Sequence, residues 1–73
     1  VPRYPELPPD RTVAALRRLG FYERRQRGSH LVMRRDEPFA QTVVPQHRVV
    51  KPLVLADILR QAGVPLDDFL KLL

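Results

Sequence analysis

Gly28-Ser29-His30 closes an arginine-rich run, Glu23-Arg24-Arg25-Gln26-Arg27, so cations that can hold a phosphate stand beside a group that can move a proton. Among side chains with ordinary pKa values, only imidazole changes charge between about pH 5 and 8, which suits His30 to acid or base work at a phosphodiester. RNA in particular can be cut without a metal. Its own 2′-hydroxyl is an internal nucleophile once a base takes the proton and cations steady the charge at phosphorus. One histidine cannot easily serve as base toward the 2′-hydroxyl and as acid toward the departing 5′-oxygen at once, so a second group is needed. His47, in the loop Pro45-Gln46-His47-Arg48, is the candidate. The plainer alternatives are a turn histidine at position 30 and a solvated loop histidine at position 47.

Arg25 and Arg27 are the candidate phosphate ligands, and strand alternation sends Arg24 to the opposite face from them. Ser29 can donate to a phosphate oxygen or simply complete a turn with Gly28, while Arg48 and Lys51 extend a basic track. Tyr22 and Phe21 can stack on bases, although Phe21 directly after Gly20 fits the hydrophobic closure of a helix better. The acidic residues come as the neighbours Asp36-Glu37 and Asp67-Asp68, which are not spaced as a metal cage. A Gly-rich phosphate loop, a paired-histidine zinc motif and a cysteine nucleophile are all missing. The expectation is therefore a site without metal or cofactor, with nucleotide hydrolysis and thiol chemistry set aside.

These side chains need a small scaffold to hold them. Seventy-three residues support one domain with a modest core, and with no cysteine neither disulfide nor thiolate zinc can staple it. Thirteen basic residues against eight acidic ones give a net charge of +5. Arginine far outnumbers lysine, and its bidentate grip leans the balance toward nucleic acid or an acidic protein partner. GC-rich coding or a thermophilic composition explains part of the same excess. No run of ~18 apolar residues and no charged-then-apolar leader is visible, so a membrane span or secretory signal is not expected, and a reducing cytoplasm is compatible. The chain opens on Val1, which fits a processed or trimmed terminus.

Val1 to Pro9 carry four of the eight prolines and read as an extended arm before a domain at residues 10–73. From Asp10, a cap or first-turn acid, Val13, Leu16 and Leu19 recur at helical spacing opposite Arg11, Arg17 and Arg18, and Gly20 stops the helix. Phe21 to Arg27, His30 to Arg34 and Phe39 to Val44 read as short strands joined by Gly28-Ser29 and by Arg35 to Pro38. After the basic loop Gln46 to Lys51, Pro52 opens a helix with the apolar stripe Leu55, Ile58, Leu59 and Ala62, closed by Gly63. Pro65, Asp67 and Asp68 start a last short helix, with Phe69, Leu70 and Leu73 on its buried side. Helix, three strands, helix, short helix predicts an α+β domain with helices on one face of an antiparallel sheet and the other face free.

Leu16 to Phe21 (LRRLGF), Arg25 to His30 (RQRGSH), Thr42 to His47 (TVVPQH) and Ile58 to Val64 (ILRQAGV) resemble the HicA toxins, small messenger-RNA interferases of toxin-antitoxin systems. The resemblance spans about residues 11–70. It implies a fold similar to double-stranded-RNA-binding domains, helix-strand-strand-strand-helix. It also implies metal-independent cleavage of messenger RNA, His30 at the catalytic histidine with Gly28 and Ser29 completing the motif, and a HicB-like antitoxin that covers the site. The chain departs from the family pattern at Leu31, where a second polar residue is common. It departs again at Pro52-Leu53-Val54-Leu55, which replaces a glycine-threonine helix start, and at Ala56, where a basic residue is common. These changes weigh on RNA affinity more than on fold. Two other readings stay open: a non-catalytic RNA-binding module on the same basic surface, and a protein-interaction domain whose arm, Val1 to Pro9, packs on a partner.

Overall fold

The computed structural model describes residues 3–73, so Val1 and Pro2 of the proline-rich arm lie outside the described residues. The elements are α1 (Pro9–Arg18), β1 (Tyr22–Arg27), β2 (His30–Asp36), β3 (Phe39–Pro45), α2 (Pro52–Ala62) and α3 (Leu66–Leu70), the α+β order expected from the sequence. Pro9, not Asp10, begins α1. Asp10 is a first-turn acid whose carboxylate accepts from the Arg11 amide at 3.0 Å, and it does not cap the helix. Gly20, at φ 96°, ends α1, where the Gly20 amide donates to Arg17 and the Phe21 amide to Leu16. That pair of bonds is a Schellman closure, and it sets Phe21 over Leu16 in the core rather than in β1. The same closure recurs at Gly63 and Val64 behind α2.

The strands form one antiparallel sheet in the order β1-β2-β3. Leu31 and Met33 of β2 face inward with Ala40, Thr42 and Val44 of β3. They join Val13, Ala15 and Leu16 of α1 and Leu55, Ile58, Leu59 and Ala62 of α2 in one core, so both long helices lie on the same face of the sheet. The opposite face, with His30, Val32 and Arg34 between their β1 and β3 partners, is left open. β2 runs to Asp36, two residues beyond the sequence expectation, because its register with β3 stays regular until Asp36 faces Phe39.

One sequence expectation about the core is corrected. Leu70 and Leu73, expected on the buried side of α3, are 39% and 38% exposed. A five-residue helix presents one narrow inward line, and that line is Leu66, Phe69 and Leu72 at spacing three, with Phe69 fully buried. Strand pairing is interrupted at Arg24. Glu23 faces Met33 and Arg25 faces Val32, so Arg24 is the extra residue of a β-bulge. The arm, for its part, is fastened to the domain. Leu7 is 4% exposed and exchanges two backbone hydrogen bonds with Val50, at 3.1 and 2.7 Å, while Tyr4 packs on the same core.

Candidate active site

The open face is assembled by register. Arg27 pairs with His30 and His30 with Pro45, so these three side chains rise on one face. Arg25, Val32 and Val43 form the next row beside them. The bulge at Arg24 restores the alternation that brings Arg25 and Arg27 to the His30 side. Gly28 makes the tight β1-β2 turn at φ 55°, a conformation that costs other residues, and the Gln26 side-chain Nε2 donates to the Gly28 carbonyl at 3.1 Å. Ser29 contributes through its backbone: its carbonyl accepts from the Gln46 amide at 2.7 Å. That bond ties the turn before His30 to the loop after β3 and so carries His47 back toward His30.

His30, His47 and Arg48 consequently line one open groove of about 480 Å³. Its floor is Val43 and Pro45 from β3, an edge strand, and its far wall is Val54, Asp57 and Gln61 from α2. Arg48 donates from Nε and from a terminal nitrogen to the His47 Nε2, at 3.3 and 3.2 Å. A guanidinium can only donate, so in this contact Nε2 is the acceptor. Arg25 and Arg27 stand on the open face beside the groove.

Not every sequence candidate reaches the groove. Lys51 turns to Glu6 of the arm, at 3.5 Å, and Arg24 sits in the bulge. Phe21, weighed as a base-stacking residue, is 3% exposed in the core, and the Tyr22 hydroxyl donates to Asp36 at 3.1 Å. Among the residues that depart from the family pattern, Leu31 points into the core and Leu53 is 86% exposed. Val54 alone of these reaches the groove. Among the described residues no group of three or more His, Cys, Asp or Glu gathers at metal-binding distance, and no helix is long and apolar enough to cross a membrane.

Sequence reasoning missed the α2 wall. Val54, Asp57 and Gln61 lie at positions i, i+3 and i+7, a stripe adjoining the buried one, and that spacing was the available signal. The arrangement sets two imidazoles, groups able to take up or release a proton, beside an arginine-bearing sheet face and the apolar side chains Val43, Pro45 and Val54.

No curated protein matches the chain. A family model described as "HicA toxin of bacterial toxin-antitoxin" matches residues 10–64, from the first turn of α1 to just past α2, and thus includes every residue that lines the groove. With most of its length matched, and with the helix-strand-strand-strand-helix order in place, the chain belongs to the HicA toxin family.

Proposed function

We propose that this toxin of a toxin-antitoxin system is an endoribonuclease that cuts messenger RNA without a metal, with His30 as the proton-transfer residue. The observation that carries the reading is the position of His30: it stands in register with Arg27, beside Arg25, and lines one groove with His47 and Arg48. In the proposed reaction the 2′-oxygen forms a bond to phosphorus and the bond to the 5′-oxygen breaks. One proton leaves the 2′-hydroxyl and one reaches the departing oxygen, giving a 2′,3′-cyclic phosphate and a 5′-hydroxyl. Arg25 and Arg27 bind the scissile or flanking phosphate, and Gly28 and Ser29 hold the turn that presents His30. His47 takes the complementary proton step once Arg48 leaves its Nε2 for a phosphate, since that lone pair is otherwise engaged. Arg24 and Lys51, which stand away from the groove, serve as flanking phosphate contacts.

The family gives the chain a cognate antitoxin. In this reading the antitoxin is HicB-like and acts by covering the His30 groove, and the fold belongs with double-stranded-RNA-binding domains. The test is induced expression of the chain and of its His30→Ala variant in bacteria, following growth and the integrity of a reporter messenger RNA. Growth arrest with RNA fragmentation for the unsubstituted chain alone is the expected result. Equal behaviour of two folded, equally abundant chains removes His30 from catalysis and leaves RNA binding without cleavage.

A further inference from the structure

The groove changes character along its length. At one end Arg48 brings a cation suited to a phosphate beside His30 and His47, whereas Asp57 and Gln61 bring a carboxylate and an amide that are not. We propose that this second end is a nucleobase subsite, holding the base beside the phosphate on which His30 acts, with Gln61 as the residue that reads it. The inference rests on the ribonuclease reading and adds to it a specificity determinant.

The buried side of the sheet fixes the reader. Thr42, 1% exposed on the inner face of β3, donates its hydroxyl to the Gln61 Oε1 at 3.0 Å. A hydroxyl hydrogen directed at the carbonyl oxygen leaves the Gln61 amide one orientation, with Nε2 toward Asp57 Oδ2 at 3.4 Å. The amide nitrogen has two hydrogens, so one remains for a ligand, and the Asp57 carboxylate keeps acceptor capacity beyond its contacts with Gln61 and Arg60. A donor next to an acceptor is the complement of a nucleobase edge, where a ring or exocyclic N–H lies beside a ring nitrogen or carbonyl.

The surroundings select a base over backbone. Val43, Pro45 and Val54 offer apolar surface to the faces of a ring, and the Asp57 carboxylate, paired with Arg60, presents acceptor oxygens rather than the cation a phosphodiester needs. A groove of about 480 Å³ has room for a nucleotide rather than for a phosphate alone. The residues sit on rigid elements, β3 and α2, which suits discrimination better than a mobile loop does.

The test is induced expression in bacteria of the unsubstituted chain, Gln61→Ala, Thr42→Val and Asp57→Asn, each with a reporter messenger RNA carrying a randomised segment, followed by sequencing of the fragment ends. The unsubstituted chain is expected to favour particular bases at one position next to the cut. Gln61→Ala is expected to reduce that preference about fivefold, the discrimination carried by one hydrogen bond. Thr42→Val, which keeps the side-chain shape and removes the orienting hydroxyl, moves the same position in the same direction. Asp57→Asn replaces an acceptor by an amide and changes which base is favoured there. Gln61 and Asp57 are exposed, so their replacement does not threaten the core. An unchanged preference in Gln61→Ala and Asp57→Asn overturns the subsite, as does a parent chain that cuts with no base preference. Loss of cutting at every base alike in Gln61→Ala assigns that residue to the chemistry instead and also overturns it. Failure of the unsubstituted chain to cut any RNA removes the ribonuclease reading itself, an outcome distinct from the others.

Discussion

Replacing Phe69 by alanine is expected to destabilise the domain by about 3–5 kcal/mol, because the ring is fully buried in the core. A buried phenyl side chain takes ~150 Å² of apolar surface out of water, about 4 kcal/mol at ~25 cal/mol per Å²; the burial kept by the alanine methyl lowers the loss and the cavity raises it again. A domain of this length has roughly 4–11 kcal/mol in total, at ~0.05–0.15 kcal/mol per residue, so the change removes a large share of it. Leu70, in the same short helix but 39% exposed, is expected to cost about 1 kcal/mol on the same substitution, and Leu53, 86% exposed, less than about 0.5 kcal/mol. Urea unfolding of the three variants, followed by circular dichroism, gives the comparison directly. If Phe69→Ala shifts stability by no more than Leu70→Ala, α3 is not part of the folding unit and the placement of Phe69 in the core is wrong.

Other expectations are read from single contacts. Leu7→Ala should cost about 2–3 kcal/mol in the same unfolding experiment, since Leu7 is buried against Val50, whereas a merely appended arm predicts no change. Gly28→Ala should cost about 1 kcal/mol from its φ of 55° alone, there being no atom within 4 Å of the added carbon, and Gly28→Asn should recover much of that loss; equal costs contradict the turn geometry. Binding of single-stranded RNA by a His30→Ala chain should weaken with salt, and Arg25→Ala and Arg27→Ala should each lower the log-log slope by about 0.7. An unaltered slope takes both arginines off the phosphate path.

Much of the fold was legible because the sequence marks its own boundaries. Gly20 and Gly63 stand where helices must close, Pro52 where one must open, and the stripe Leu55, Ile58, Leu59 and Ala62 is buried as its spacing implies. The hairpin Gly28-Ser29 was equally plain, and with it the place of His30 at the start of β2. The bulge at Arg24 was not, since five consecutive polar residues, Glu23 to Arg27, give alternation nothing to act on. Leu70 and Leu73 misled for the opposite reason: two leucines and a phenylalanine crowd a helix of little more than one turn, two more leucines follow closely behind it, and only packing selects which face inward. The α2 wall of the groove was hidden because Asp57 and Gln61 look like solvated helix residues until the β3 edge is laid beside them. His47 was visible as a histidine, but its proximity to His30 follows from the pairing of His30 with Pro45 and the bond from Gln46 to Ser29, a register that sequence spacing does not reveal.

The most direct measurement is the chemistry of the RNA ends produced in cells expressing the chain or its His30→Ala variant. Attack by the 2′-hydroxyl predicts new fragments with 5′-hydroxyl and 2′,3′-cyclic phosphate termini, present with the unsubstituted chain and absent with His30→Ala. Fragments carrying 5′-phosphate and 3′-hydroxyl termini, or cyclic-phosphate ends formed equally well without His30, would contradict the assignment of His30 to metal-free cleavage.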